Sequence, residues 1–232
     1  MNENKLQTIY ALLREIDQAG MPVGSNYLSL KLGAPPASLG RVLQDLEYRG
    51  YLEKVSNKGR VLRQSGMEYM EELKTQLHSL ENAFELHRLA MSTEKEAMLD
   101  MLYARRTIER EVILLACRTV TEKQIQRLLR IVQMQDSEKA ADRSGEEQDL
   151  EFHLMLARIS GNKSFEHILK LLLMQNNAYV RLSLIATIAK NMPNVISHHQ
   201  IINALRNRDQ ERACSLIEQH IGFYMQYIEK HY

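Results

Sequence analysis

Apolar residues recur at helical spacing along most of the chain, with one short early stretch of strand character. The first apolar face consists of Leu6, Ile9, Leu12, Leu13 and Ile16 and ends near Gly20. A second, short helix is expected from Ser25, as N-cap, to Gly33, and a third from about residue 37 to 49. Residues 51–55 and 60–63 are β-prone runs on either side of a Ser-Asn-Lys-Gly turn. They predict a hairpin directly after the third helix.

This order of elements is that of a winged helix-turn-helix, in which the third helix enters the DNA major groove. The outer face of that helix offers Ser38, Arg41 and Gln44, and the hairpin offers Asn57, Lys58 and Arg60 for phosphate or minor-groove contacts. We therefore predict a DNA-binding domain at residues 1–66. The alternative for such a domain is protein contact, in which case these residues are ordinary solvated side chains.

The next segment, residues 67–92, has an apolar stripe of helical period and predicts a linker helix. Its members are Met67, Met70, Leu73, Leu77, Leu80 and Phe84. Such a stripe needs a partner surface, which a neighbouring domain or a second subunit would supply.

Residues 93–232 predict a bundle of about six helices, because no proline occurs between residues 37 and 192. The predicted N-caps are Thr93, Thr121 (in a capping box with Gln124), Asn162 and Asp209. The fourth helix is expected to run from about residue 165 to 189, and the fifth to begin near Pro193. The overall expectation is a mainly α protein.

Charge and cysteine usage agree with this division. Residues 1–66 carry nine Lys/Arg and six Asp/Glu, a net charge of +3, and the remainder carries 21 and 23, a net charge of −2. The two cysteines, Cys117 and Cys214, lie in apolar helical patterns and make neither a disulfide framework nor a metal site. No stretch reaches the roughly 18 apolar residues that a membrane helix needs. We expect a cytoplasmic protein of a reducing compartment, with no membrane partner.

Candidate metal ligands lie on three of the predicted helices. Asp149 and His153 are four residues apart and project from one face, and His220 lies on the last helix. Of His198 and His199, at most one can point the same way, and the other should face solvent. One carboxylate and three imidazoles would suit zinc, nickel, manganese or iron. The alternatives are a solvated Asp149 and a hydrogen-bonded core His153.

Four ordered segments resemble the FadR-type ligand-binding domain of bacterial GntR transcription factors. They are residues 149–153 with 160–162 (DxxFH…SxN), residues 105–109 with 115–116 (RxxxE…LA), residues 197–205, and the positions of Asp209, Ala213 and His220. The resemblance covers about residues 93–229 and implies an antiparallel helical bundle with a central cavity. The N-terminal half departs from the usual pattern at residues 25–28 and 41–43, so the operator preference of the family cannot be transferred.

By position, the resemblance implies that Asp149, His153, His199 and His220 hold a divalent transition metal such as zinc, nickel or manganese. It also implies that Arg105 points into the cavity and helps to hold a carboxylate effector. A fixed cation beside a guanidinium is a chemically sound receptor for a carboxylate. The alternative for Arg105 is an i,i+4 salt bridge to Glu109.

These observations predict a ligand-responsive transcriptional regulator that binds a two-fold-symmetric DNA operator as a homodimer. One alternative is a metal sensor, in which the cation is itself the signal. The other is a metal-dependent hydrolase or lyase with an appended DNA-binding domain. The sequence shows no Gly-rich phosphate loop, catalytic triad order or cysteine nucleophile signature, so we predict that the protein is not an enzyme.

Overall fold

Three helices and a hairpin form the first of the two units into which the chain divides, Met1–Phe84 and Glu85–Tyr232. A computed structural model describes residues 3–173 and 196–232. In the first unit the elements are α1 (Glu3–Ala19), α2 (Ser25–Leu32), α3 (Pro36–Tyr48), β1 (Leu52–Val55) and β2 (Gly59–Leu62), and α4 (Gln64–Met91) begins there. The order confirms the predicted helices and hairpin.

The core of the first unit is built from leucines that the three helices and the hairpin turn inward. Leu12, Leu28, Leu43 and Leu52 are fully buried. The strands pair antiparallel, from Leu52 opposite Leu62 to Val55 opposite Gly59. The hairpin is therefore anchored on the helical core and not only by its own turn.

A third backbone segment is attached to the hairpin. Val23, between α1 and α2, exchanges both backbone hydrogen bonds with Arg60, at 3.0 and 2.9 Å. Gly59 has φ +125°, and a Cβ there would lie 2.4 Å from the Val23 backbone. Only glycine allows this approach, so the hairpin turn is fixed against the α1–α2 loop.

The helix predicted over residues 67–92 begins slightly earlier, at Gln64, and ends at Met91. Part of its apolar stripe is covered by the first unit itself, because Leu73 and Leu77 are buried in that core. Tyr69 stacks on Tyr51 at a centroid distance of 4.3 Å. Phe84 remains 58% exposed.

The second unit is a helical bundle arranged around one central helix. Its elements are α5 (Lys95–Thr119), α6 (Glu122–Ala140), α7 (Glu146–Ser160), α8 (Lys163–Leu173), α9 (His198–Arg206) and α10 (Gln210–His231). Helix α5 packs against α7, α8, α9 and α10, and α6 packs against α7 and α9. The predicted continuation of the fourth helix to residue 189 and the predicted start of the fifth near Pro193 lie outside the described residues.

Three of the predicted N-caps in this unit are confirmed. Thr121 forms the capping box with Gln124. The side chains of Asn162 and Asp209 accept hydrogen bonds from the backbone N–H groups of Phe165 and Arg212, as N-cap side chains do. Two other predicted caps are wrong. Gly24 precedes the first turn of α2, with Ser25 inside the helix, and Glu94 rather than Thr93 precedes α5.

Arg208 ties the α9–α10 loop to the carboxyl end of α5. Its guanidinium donates to the carbonyl oxygens of Cys117, Arg118 and Val120 at 3.1, 2.7 and 2.9 Å. The residue adopts φ +54°, an unfavourable region for a non-glycine residue. These bonds satisfy helix-terminal carbonyls that would otherwise lack partners in the helix.

Both cysteines are buried free thiols, as expected from their apolar surroundings. In the part of the chain that is described, none of the helices combines the length and apolarity needed to cross a bilayer.

Candidate functional site

Four side chains from three helices converge inside the second unit. Asp149 and His153 come from α7, His198 from the first turn of α9, and His220 from the middle of α10. The three histidines are buried, and the Asp149 side chain is only 15% exposed. One potential ligand atom from each residue lies within 4.8 Å of all the others. We refer to these four residues as the Asp–His₃ cluster.

Each of the three imidazoles uses its Nδ1 atom for an acceptor outside the cluster. His153 Nδ1 donates to Glu109 Oε2 at 2.5 Å and His198 Nδ1 donates to Gln135 Oε1 at 2.8 Å. His220 Nδ1 donates to the carbonyl oxygen of Ile196 at 3.0 Å. A neutral imidazole carries one N–H, so these bonds leave the Nε2 lone pairs of all three rings unprotonated.

The three Nε2 atoms face one another and the Asp149 carboxylate. His198 Nε2 lies 3.3 Å from His220 Nε2 and 3.4 Å from Asp149 Oδ1. His153 Nε2 is buried without a hydrogen-bond partner among residues 3–173 and 196–232, and Asp149 Oδ2 is 3.8 Å away. Converging lone pairs repel unless a proton or a cation lies between them. The cluster is therefore a set of one oxygen and three nitrogen donors that fits a transition-metal ion.

The electrostatics favour the protonation states that a metal needs. Burial raises the pKa of Asp149, but the nearby imidazoles of His198 and His153 outweigh it and hold the pKa well below its usual range. Burial lowers the pKa of His220 to about 4 and that of His198 well below its ordinary value. At neutral pH Asp149 is therefore a carboxylate and His198 and His220 are neutral imidazoles, the forms that bind metal.

The prediction of His199 as a ligand needs correction, because the structure places His198 in the cluster. Consecutive helical residues point about 100° apart, so only one of the pair can face inward. The Ser197–Gln200 capping box starts α9 at His198 and turns that residue into the bundle. The side chain of His199 is 43% exposed, and its Nε2 contacts Asp136 Oδ2 at 2.8 Å.

Two buried residues outside the predicted set hold the ligands in place. Glu109 accepts from His153, as described, and Gln135 contacts two members of the cluster. The Gln135 amide accepts from His198, and its Nε2 donates to Asp149 Oδ1 at 3.0 Å. Glu109 belongs to the RxxxE segment, which was a usable signal in the sequence, whereas no pattern identified Gln135.

Arg105 makes the i,i+4 contact that was the alternative to effector binding. It is 1% exposed, and its Nε donates to Glu109 Oε1 at 2.5 Å. The two carboxylate oxygens of Glu109 thus connect Arg105 to His153. Burial raises the pKa of Glu109, but the guanidinium charge of Arg105 and the hydrogen bonds from His153 and Arg105 outweigh it and hold the pKa at about 2.

The predicted DNA-contacting residues are exposed on the first unit, with one exception. Ser38, Arg41 and Gln44 face solvent on α3, and Asn57 and Lys58 are exposed at the tip of the hairpin.

Arg60 lies on the predicted hairpin, but its side chain is engaged by α3 and is not free in solvent. Its guanidinium binds Glu47 of α3 through Nε and one terminal nitrogen, both at 2.7 Å from Oε2, and its side chain is only 16% exposed. The salt bridge to Glu47 fastens the hairpin to α3. The backbone of the same residue pairs with Val23, so Arg60 connects the hairpin to two other segments of the first unit. Its charge is therefore already engaged within the fold.

Two further carboxylates of α7 are bound to arginines or exposed to solvent. Glu151 is bound to Arg158 at 2.8 Å and lies 3.6 Å from Arg127, and Glu147 is exposed.

Comparison with known proteins gives one family match. The FCD domain matches residues 100–223, more than half of the chain, and this range contains the whole Asp–His₃ cluster. No curated protein matches the sequence.

Several solved structures are similar to the chain. Streptococcus agalactiae GntR is 20% identical with a TM-score of 0.48, and the match covers 95% of this chain and 98% of that one. E. coli McbR/YncC is 11% identical with a TM-score of 0.47, covering 98% and 95%. A putative transcriptional regulator GntR from Rhodococcus sp. RHA1 is 14% identical with a TM-score of 0.47, covering 99% of each chain.

Proposed function

The chain belongs to the FCD-domain family of GntR-type transcriptional regulators, and from that premise we propose a regulator controlled by a divalent cation together with a small carboxylate effector. GntR-type proteins are transcriptional regulators and not enzymes, and their FCD domains bind effectors. In our proposal the first unit binds operator DNA as part of a homodimer in the cytoplasm. The second unit holds the cation and the effector.

The convergence of three unprotonated Nε2 atoms on one carboxylate carries the metal part of this proposal. Asp149, His153, His198 and His220 would be the ligands of zinc, nickel or manganese. The hydrogen bonds from the Nδ1 atoms of the three histidines fix the ring orientations before any ion arrives, which lowers the cost of assembling the site. Such an ion would supply a Lewis acid for anionic oxygen donors.

The choice of a carboxylate effector rests on the charges around the cluster. An ion that prefers six ligands would retain two positions after binding the four protein atoms, and oxygen donors suit them. Arg105 lies close enough for its charge to lower the pKa of both Asp149 and His220. A carboxylate near the ion would therefore also meet the field of a buried guanidinium.

The DNA-binding part rests on the exposed residues of α3 and of the hairpin tip. Arg41 and Gln44 carry the donors and acceptors that read base edges in the major groove, and Lys58 can contact a phosphate. A single helix of this kind reads only a short half-site, which is why we propose a homodimer on a two-fold-symmetric operator.

Metal analysis of three proteins tests the proposal. Wild type, His198→Ala and His199→Ala would be stripped with a chelator, dialysed against zinc, nickel or manganese separately, and analysed by elemental mass spectrometry. The two variants remove the same side chain from adjacent residues, one inside the cluster and one on the surface. We expect about one equivalent of metal in wild type and His199→Ala and its loss in His198→Ala. Metal-free wild type, or equal loss in both variants, would overturn the proposal.

A second experiment tests DNA binding without knowledge of the operator. Wild-type protein would select sequences from a pool of random double-stranded DNA, and fluorescence anisotropy would measure binding of the selected duplex with and without the metal. We expect enrichment of a two-fold-symmetric sequence, and weaker binding of that sequence by Arg41→Ala. Selection of no sequence would argue for a protein-contact role of the first unit.

A further inference from the structure

The buried carboxylate of Glu109 is shared between a cation and a cluster histidine. Its Oε1 accepts from Arg105 Nε and its Oε2 accepts from His153 Nδ1, both at 2.5 Å. Glu109 is 2% exposed, Arg105 is 1% exposed and His153 is fully buried. Water therefore does not screen these contacts, and each strongly affects the others.

The hydrogen-bonding chemistry of the Glu109 side chain determines which nitrogen of His153 faces the cluster. An ionised carboxylate can only accept, so His153 must place its hydrogen on Nδ1 and its lone pair on Nε2. An amide of the same shape has one acceptor and one donor. If Arg105 keeps the acceptor, the amide NH₂ would donate to His153 Nδ1, and the ring hydrogen would move to Nε2.

Arg105 also limits how strongly Glu109 attracts the imidazole N–H. The guanidinium withdraws part of the negative charge of the carboxylate through its own charged hydrogen bond. If Arg105 were drawn toward another anion, Glu109 would interact more strongly with His153, and the imidazole would become a better donor to a cation at Nε2.

We propose that Glu109 is a positioning residue that sets the metal-binding nitrogen of His153 and couples Arg105 to the cation affinity of the Asp–His₃ cluster. This inference rests on the proposed function, because it requires the cluster to bind a cation. By thermodynamic reciprocity, an anion that engages Arg105 and a cation in the cluster strengthen each other's binding. The Arg105–Glu109 salt bridge, which the sequence offered as the alternative to effector binding by Arg105, then becomes part of the regulatory mechanism.

The first test measures the His153 tautomer and the binding of cobalt, used alone as the probe ion. Long-range ¹H–¹⁵N correlation spectra of metal-free protein report which imidazole nitrogen carries the hydrogen. Cobalt affinity comes from competition with a chromophoric chelator. We expect Glu109→Gln to shift the His153 hydrogen to Nε2 and to weaken cobalt binding by about 10- to 100-fold. The matched control is Glu111→Gln on the same helix, whose carboxylate is 46% exposed and pairs with Arg110.

The second test is a double-mutant cycle with Arg105→Met. Arg105→Met removes a positive charge near the cluster, and the loss of this long-range repulsion raises cobalt affinity in any background. Only the part of the gain above that effect reports coupling through Glu109. We expect the gain in wild type to exceed the gain in the Glu109→Gln background by about threefold or more. If Arg105→Met does not fold, as judged by circular dichroism, Arg105→Gln replaces it.

The outcomes separate this inference from the proposed function. Failure of wild type to bind cobalt would overturn the proposed function and this inference with it. Tight binding by wild type, with an unchanged tautomer and affinity in Glu109→Gln, would overturn the positioning role alone. Equal gains from Arg105→Met in the two backgrounds would overturn the coupling and leave the metal site intact.

Discussion

Acid should destabilise the metal-free protein over the pH range in which buried histidines of the cluster stay neutral in the folded chain but take up protons in the unfolded chain. In the folded chain burial lowers the pKa of His220 to about 4, against an ordinary value of 6.5. The unfolded chain therefore takes up a proton at a pH where folded His220 remains neutral. The contribution of neutral His220 to the free energy of unfolding is fully present above pH 6.5 and is lost as the pH falls toward 4.

The size of this effect follows from the two pKa values. Between neutral pH and pH 4.5, His220 alone should lower the free energy of unfolding by about 2 to 3 kcal/mol. His198 shifts in the same direction and adds to the loss. The buried carboxylates act at lower pH, because Glu109 and Asp149 have lowered pKa values and their ordinary values are 4.5 and 3.8. The range from 6.5 to 4.5 is therefore specific to the histidines.

Urea unfolding followed by circular dichroism at several pH values would measure the effect. The comparison is between metal-free wild type and His220→Gln, since groups common to both proteins cancel in the difference. We expect a shallower dependence of the free energy of unfolding on pH in His220→Gln than in wild type. Equal slopes for wild type and His220→Gln between pH 6.5 and 4.5 would refute the assignment of a neutral, buried His220.

Three further predictions concern other parts of the molecule. Arg208→Ala should lower the free energy of unfolding of the second unit by about 2 kcal/mol in urea, because charged hydrogen bonds to three carbonyls are lost. Arg208→Gly should lower it by about 1 kcal/mol less, since glycine tolerates the positive φ. Arg60→Ala should destabilise the first unit in urea unfolding. Lys58→Ala should leave the stability of that unit unchanged and reduce the salt dependence of DNA binding. The opposite pattern would indicate that Arg60 contacts DNA. Gly59→Ala should lower the melting temperature of the first unit because its Cβ would collide with the Val23 backbone.

The elements of the fold were predictable because local signals agreed with the tertiary structure. The apolar period of α1 and α3 and the capping residues Thr121 and Asp209 act within one or two turns of chain. The linker stripe was predictable as a helix but not in its packing. Leu73 and Leu77 are covered by the first unit, and sequence period does not reveal which surface covers an apolar face.

The cluster shows where sequence reasoning fails at the level of single atoms. Spacing could establish that Asp149 and His153 share a helix face, and that His198 or His199, but not both, points inward. The choice between the two depends on where α9 begins, and the capping box at Ser197 shifts that start to His198. A match by position alone cannot detect a rotation of 100° about the helix axis.

The residues that orient the ligands were harder to predict than the ligands themselves. A metal ligand must be a histidine, cysteine or carboxylate, so its chemistry narrows the search. The residue behind it needs only one acceptor atom at the right place. Here that atom comes from a carboxylate on α5, an amide on α6 and a backbone carbonyl at Ile196. Three chemically different groups perform the same task, so composition gives no signal for it. Glu109 stands apart from the other two because it alone carries a charge that Arg105 can modulate.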